Sequence, residues 1–113
     1  MSESIIDPGF LLLLLDMDQL IAGKISPAEF ETKFFGNKEL RLQMKDGRKF
    51  GYETYQNLFY VVEDYVADPV LRTDPEDLGD DDLRSAVTVA RSQFSDYLKS
   101  FGCDTYGRPF PHS

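Results

Sequence analysis

The sequence predicts an all-α protein, and specifically an antiparallel bundle of four main helices. Apolar residues recur at steps of three and four along most of the chain, which is the spacing of one helical face. Glycine, proline and helix-capping residues stand at the ends of these periodic segments, and the connections between the segments are short. Together these signals place the four helices near residues 8–22, 27–36, 52–67 and 81–101.

Composition and charge limit the class of protein. The 113 residues have the length of one domain, residues 1–113, and a hydrophobic content of 42% is enough for a core. A formal charge of −8 and an isoelectric point near 4.5 argue against a nucleic-acid-binding protein, whose surface is net basic. The single Cys103 excludes an intramolecular disulfide and is typical of a reducing compartment, so we expect a cytoplasmic protein.

The first predicted helix contains five consecutive leucines, residues 11–15, behind a proline that suits a first helical turn. Asp7, just before that proline, is expected to cap the helix. Acidic residues on both sides of the leucine run argue against a signal peptide, and the run is far shorter than the roughly 20 residues that cross a bilayer. We therefore expect no membrane association and a central, buried helix. Its core face should comprise Phe10, Leu13, Leu14, Met17, Leu20 and Ile21.

A clear local signal joins the first two helices. Gly23 is placed to end the first helix in the left-handed conformation that glycine adopts at low cost. Ser26 and Glu29 have the spacing of a capping box, with a proline between them at the first helical position. The second helix should then bury Phe30 and Phe34, so that the two helices form a tight hairpin.

Residues 36–51 are open to two interpretations. Leu40 and Leu42 alternate with polar residues, which fits either a short strand or a further helical turn. The stretch is also basic, and its charges suit a bound phosphate group, a solvated surface or ion pairs with the acids of the same chain. These basic residues are Lys38, Arg41, Lys45, Arg48 and Lys49.

The third and fourth predicted helices carry long apolar faces. The Asp68-Pro69 pair should end the third helix, because the residue before proline avoids helical geometry. Asp80 is expected to cap the fourth helix. The predicted core face of the third helix is Tyr55, Leu58, Phe59, Val62, Tyr65 and Val66, and that of the fourth is Leu83, Val87, Ala90, Phe94, Tyr97, Leu98 and Phe101. Residues 102–113 lack periodicity and are expected to be a loosely ordered tail, unless Tyr106 and Phe110 fold back onto the bundle.

Residues that could carry catalysis are scarce. The single histidine, His112, is the penultimate residue, which disfavours a histidine-based triad or an acid–base pair. The sequence has neither a glycine-rich phosphate loop nor a Cys/His cluster. Counting from Asp74 as the first position of a calcium-binding EF-hand puts Leu78 and Ser85 where ligands are required. We therefore expect no enzymatic activity, no cofactor and no bound metal.

The acidic segment, residues 63–82, is the most unusual feature of the sequence. It holds nine acids and one base, Arg72, so its net charge of −8 equals that of the whole chain. A run of charge is usually a solvated surface, and some of these aspartates are placed to cap helices. Charge concentrated in this way destabilises a fold by self-repulsion, however, which favours a role in binding a basic partner. The candidate binding residues are Glu63, Asp64, Asp68, Asp74, Glu76, Asp77, Asp80, Asp81 and Asp82.

The order of three segments resembles the colicin D immunity-like family. The segments are LLDMDQLIAGKISPAEFETKFF, then LFYVVEDYVADPVLR, then DDDLRSAV at the start of the last helix. The resemblance covers roughly residues 11–98, and its most specific parts are residues 23–30 and 65–72. Residues 38–51 and the tail fall outside it.

The resemblance implies a small helical immunity protein that is made with a bacteriocin or contact-dependent inhibition toxin. Such a protein blocks the C-terminal domain of the toxin, typically a tRNA-cleaving nuclease, and the acidic segment would fill its basic groove. Two other classes fit the composition. One is an acidic nucleic-acid mimic that regulates another nucleic-acid-binding protein, such as an anti-restriction factor, and the other is a helical adaptor whose acidic face only confers solubility.

Overall fold

The computed structural model describes residues 8–44, 51–75 and 77–109, except for the side chain of Gln43. These residues form an all-α fold, as predicted, with two isolated backbone bridges and no sheet among them. The helices are α1 (Pro8–Ile21), α2 (Pro27–Gly36), α3 (Lys38–Met44), α4 (Tyr52–Asp64) and α5 (Asp80–Ser100), and a 3-10 turn spans Pro69–Leu71. Within the described ranges the fold therefore has one α-helix more than the four predicted.

Helix α1 packs against α2, α3 and α5. Its predicted core face is largely confirmed, since Phe10, Leu13, Leu14, Met17 and Leu20 are buried. Ile21 is exposed, contrary to the prediction, because it is the last residue of the helix, where the chain turns toward α2. Asp16 is buried beside the leucine run, and this burial raises the pKa of its carboxyl against a smaller opposing effect of Lys33. The predicted cap, Asp7, lies outside the described residues.

The predicted hairpin signals between α1 and α2 are confirmed. Gly23 has a φ of +77°, in the left-handed region. The Ser26 Oγ accepts the backbone N–H of Glu29 at 3.1 Å, and the Glu29 Oε1 accepts the N–H of Ser26 at 3.5 Å. Phe30 and Phe34 are buried on the inner face of α2. Contacts between residues three positions apart therefore fix the start of this helix.

The stretch left open between strand and helix is the helix α3. It follows α2 after a single residue, Asn37, whose Nδ2 donates to the backbone oxygen of Gly9 at 2.8 Å. The Oδ1 of the same side chain accepts the N–H of Leu40 at 3.4 Å, which fixes the start of α3 against α1. Leu40 and Met44 are buried. Of the basic residues predicted in this region, Lys45, Arg48 and Lys49 lie outside the described residues.

Helix α4 ends at Asp64, three residues earlier than predicted. Tyr65 takes an extended backbone conformation and forms a parallel bridge with Leu78. The N–H of Val66 donates to the oxygen of Leu78 at 2.9 Å, and the N–H of Leu78 donates to the oxygen of Asp64 at 3.0 Å. This pairing keeps residues 65 and 66 extended, so α4 ends several residues before Pro69, which was predicted to terminate it.

Helix α5 begins at Asp80, but its capping residue is Gly79 and not Asp80 as predicted. The carboxylate of Asp82 accepts the N–H of Gly79 at 2.9 Å, which satisfies one free donor at the helix start. Asp80 is the first residue of the helix, and its side chain turns toward Tyr65.

Most of the predicted core face of α5 is buried, namely Leu83, Val87, Ala90, Phe94 and Leu98. The Phe94 ring meets the Phe10 ring of α1 edge to face, with 5.0 Å between the centroids. Tyr97 and Phe101 are exposed, contrary to the prediction. Tyr97 lies about 100° around the helix from the buried Leu98, and Phe101 comes after the last helical residue.

The α4 face packs an aromatic cluster with α2. Tyr55, Leu58, Val62 and Tyr65 are buried as predicted, whereas Phe59 and Val66 are only partly buried. The Phe59 ring lies 6.1 Å from Phe34 and 5.8 Å from Phe35. Its outer side lines an open groove of about 430 Å³ between α3 and α4, which explains the partial exposure.

Residues 103–109 are attached to α1 and α5, so the prediction of a loose tail is wrong for this part of the chain. Arg91 of α5 is buried and donates to Asp18 Oδ1 at 2.8 Å, Ser95 Oγ at 2.9 Å and Thr105 O at 2.8 Å. The Tyr106 hydroxyl donates to the second carboxylate oxygen of Asp18. This contact agrees with the alternative prediction, in which Tyr106 folds back onto the helices. Phe110 and the residues after it lie outside the described ranges.

Candidate functional site

The acidic segment forms a closed loop followed by the start of α5. The pairing of residues 64–66 with Leu78 joins the two ends of the loop, and the 3-10 turn Pro69–Leu71 lies between them. This pairing brings the end of α4 close to the start of α5.

Arg72, the single base of the acidic segment, folds back into this loop. Its Nε donates to the oxygen of Val66 at 2.7 Å, and a terminal guanidinium nitrogen donates to the oxygen of Ala67 at 3.3 Å. The same guanidinium lies 3.5 Å from the carboxylate of Asp80. A β-carbon at Gly79 would come within 3.0 Å of a guanidinium nitrogen, so the absence of a side chain there makes room for Arg72. The positive charge thus holds the loop together.

Two aspartate side chains, Asp68 and Asp77, and the backbone of Asp74 stabilise the loop by local hydrogen bonds. Asp68 Oδ1 accepts the N–H of Val70 at 3.0 Å and so begins the 3-10 turn. Asp77 Oδ2 accepts the N–H of Asp74 at 3.0 Å, and the N–H of Asp77 donates to the oxygen of Asp74 at the same distance. Asp68 and Asp74 are exposed, and Asp77 is half-buried. The carboxylates of Asp68 and Asp77 shape the loop, and all three aspartates add negative charge to its surface.

Asp80 has a different environment. Its Oδ1 accepts the hydroxyl of the buried Tyr65 at 2.6 Å. Burial raises the pKa of the Tyr65 phenol, and the hydrogen bond to Asp80 and the charges of Asp80 and Glu31 raise it further, against a smaller opposite effect of Arg72. Asp80 is therefore engaged within the fold on two sides, by a phenol and by a guanidinium.

The electrostatic field at the start of α5 stabilises three aspartates of the acidic segment. Asp80, Asp81 and Asp82 all lie in its first turn, where the positive end of the helix dipole stabilises carboxylates. Asp82 also accepts the N–H of Gly79. Asp81 is fully exposed and lies 3.8 Å from Arg84, a surface ion pair of the kind that contributes little to stability.

Glu63 and Asp64 differ from the other acids. Both are exposed in the last turn of α4, and neither side chain forms a hydrogen bond or ion pair with another residue in the described part of the chain. The negative end of the helix dipole lies at this terminus and disfavours carboxylates. The side chains of these two acids therefore form no contact that stabilises the described part of the fold, although the backbone oxygen of Asp64 pairs with Leu78.

Of the nine predicted site residues, eight are described, and Glu76 lies outside the described residues. Sequence reasoning missed two components of this surface. Glu31 of α2 lies close enough to act on Tyr65, and burial raises the pKa of the Glu31 carboxyl. Val70 and Leu71 are exposed at the 3-10 turn, and their only sequence signal was an apolar pair between acids.

The basic stretch gives no comparable site in the described ranges. Arg41 donates to the oxygen of Phe35 at 2.9 Å, and its guanidinium lies 5.9 Å from the centre of the Phe35 ring. It therefore borders the open groove with its charge already engaged. In the residues described, no three His, Cys, Asp or Glu side chains are grouped as a metal site would require. Nor does any described helix combine the length and apolar character that crossing a membrane demands.

Comparison of the chain with protein-family models, with curated proteins and with solved structures gives no match. The resemblance to the colicin D immunity-like family therefore stays a prediction.

Proposed function

We propose that this chain is an immunity protein that binds and neutralises the C-terminal nuclease domain, a tRNase, of a cognate bacterial toxin in the cytoplasm. Its four longer helices would form an antiparallel bundle that presents the acidic segment. One observation carries the proposal. The only base of that segment is folded into the loop, while the carboxylates of Glu63, Asp64, Asp68, Asp74 and Asp81 are exposed.

The mechanism is occupation of a basic groove. A nuclease that holds a phosphate backbone needs a positively charged surface, and an acidic protein surface can compete for it. Opposed charges raise the association rate toward about 10⁸–10⁹ M⁻¹s⁻¹ at low salt, and close pairs across such an interface contribute roughly 1.5–7 kcal/mol each. The chain would act by excluding the substrate from the nuclease and would carry out no reaction itself.

The position of Glu63 and Asp64 supports this role. Both acids lie where the dipole of α4 opposes negative charge, and both belong to a segment that already repels itself. Residues that cost stability and have no structural partner are typical of binding surfaces. These two acids should therefore contact the partner directly.

The test is co-expression with the C-terminal domain of the large toxin whose gene lies directly upstream. The immunity protein should restore growth and co-purify with that domain. Absence of such a gene, or failure both to rescue growth and to co-purify, would refute the proposal.

A matched pair of variants then tests the acidic face. Glu63→Gln with Asp64→Asn removes two negative charges from the acidic face. Glu53→Gln with Asp96→Asn also removes two negative charges, but from a different surface depression that both of these residues line. Glu53 lies about 17 Å along α4 from Asp64. The first pair should weaken binding and flatten its dependence on salt, and the second should do neither. Equal effects of the two pairs would mean that only net charge matters.

A further inference from the structure

The 3-10 turn within the acidic segment presents an apolar tip, which we define as Val70 and Leu71. Val70 is 82% exposed, the highest value among the large apolar side chains that the structure describes, and Leu71 is 63% exposed. Single exposed apolar residues are common on protein surfaces and need no explanation. Val70 and Leu71, however, are adjacent to each other in a loop otherwise rich in acids, so this rule does not account for them.

The apolar tip is held rigidly by hydrogen bonds on both sides. Asp68 accepts the N–H of Val70 through its side chain and the N–H of Leu71 through its backbone oxygen, each at 3.0 Å. The N–H of Arg72 donates to the oxygen of Pro69 at 3.2 Å, and its guanidinium binds the backbone before the turn. A preorganised tip loses little conformational freedom on binding, so more of its contact energy is available as affinity.

Charge around the apolar tip specifies the chemistry of the partner. Asp68 precedes the tip and Asp74 and Asp77 follow it in the same loop, while Arg72 is turned inward. Protein interfaces concentrate their binding energy in a central desolvated cluster surrounded by a polar rim. An apolar centre with an acidic rim matches an apolar pocket bordered by lysine and arginine. A second copy of this chain would bring the same acids together and is disfavoured by repulsion.

We infer that Val70 and Leu71 are the anchor of the toxin interface and insert into an apolar pocket within the basic groove of the nuclease domain. This inference rests on the proposed function and adds the contact that governs dissociation. The acids determine the rate of encounter and its salt dependence and add affinity where they pair closely with the partner, whereas the apolar tip is the main determinant of the lifetime of the complex.

The test measures association and dissociation of the upstream toxin's C-terminal domain over a range of salt concentrations. Val70→Thr with Leu71→Asn keeps side-chain size and removes apolar surface. Val89→Thr with Leu42→Asn is the matched control, because these side chains are 58% and 71% exposed on α5 and α3. The tip variant should dissociate at least about 10-fold faster, with an unchanged association rate and salt slope. The control variant should behave as the wild type.

Several outcomes would overturn the inference. Unchanged dissociation of the tip variant while Glu63→Gln with Asp64→Asn still weakens binding would reject the anchor and leave the proposed function standing. An equal increase in the dissociation rate of the control variant would show that any loss of exposed apolar surface has this effect, wherever it lies. A concentration-dependent dimer of the free protein that the tip variant abolishes would assign the tip to self-association. No binding by the wild-type protein would reject both proposals.

Discussion

Neutralising Glu63 and Asp64 should make the protein more stable while it makes the complex weaker. Both side chains lie in the last turn of α4, where the helix dipole disfavours negative charge, and no described residue offsets either one. The change Glu63→Gln with Asp64→Asn keeps side-chain size and polarity and removes the negative charge. Opposite effects on folding and binding would separate a functional role from a structural one.

The size of the stability gain follows from the position of the charges. A charge at an exposed helix terminus is worth about 0.3–1 kcal/mol at low ionic strength, so the pair should contribute about 0.6–2 kcal/mol. For a domain of this length each 1 kcal/mol shifts Tm by about 4 °C, which predicts a rise of about 2–8 °C. Salt screens exposed charges, so the rise should shrink at high ionic strength.

Glu53 provides a control on the same helix. It lies in the first turn of α4, where the dipole favours an acid, so Glu53→Gln should lower Tm slightly. Thermal melts of both variants at low and high salt measure the effect without any partner. A fall in Tm for the Glu63 and Asp64 variant, or the same sign of shift in both variants, would refute the dipole argument.

Three further predictions concern the fold. Phe94→Ala should cost about 3–5 kcal/mol in denaturant unfolding and Phe59→Ala clearly less, because only the first side chain is fully buried; equal losses would contradict this. Gly79→Ala should increase amide exchange in the acidic loop because its β-carbon meets a guanidinium at 3.0 Å, whereas Gly36→Ala, with open space around it, should not. Because the pKa of Tyr65 is raised in the folded state, the contribution of its phenol to stability is complete below pH 10 and is lost as the pH rises further. Tyr65→Phe should therefore reduce the loss of Tm at alkaline pH, and an unchanged dependence of Tm on pH would contradict this prediction.

The parts of the fold that depend on neighbours in the sequence could be predicted, and those that depend on distant partners could not. The capping box of Ser26 and Glu29 was predictable because it joins residues three positions apart. The end of α4 was misplaced because the extended conformation of Tyr65 is set by Leu78, thirteen positions later. Attachment of residues 103–109 depends on Asp18, at the other end of the chain, and no local pattern reveals that contact.

For the candidate site, the charge count predicted which segment carries the acids but not how the acids differ. Whether an aspartate caps a turn, pairs with a phenol or stands alone depends on the backbone path of the loop. Asp80 was expected to cap α5, yet Gly79 takes that position because Asp82 accepts its N–H and Asp80 faces Tyr65. The exposure of Val70 was likewise hidden, because a valine near a proline has no characteristic solvent exposure in sequence.

The buried Arg91 has a consequence for the timing of folding during synthesis. Its guanidinium donates hydrogen bonds to the side chains of Asp18 and Ser95 and to the backbone oxygen of Thr105. The Tyr106 ring lies over the guanidinium, with 5.2 Å between the Arg91 Cζ and the ring centroid. A nascent chain that has left the ribosome only as far as the end of α5 has the first two partners and lacks the others. Leaving part of a buried charge without partners is costly. Complete burial of Arg91 therefore requires residues 105 and 106, which follow the last helical residue, Ser100, by five and six positions.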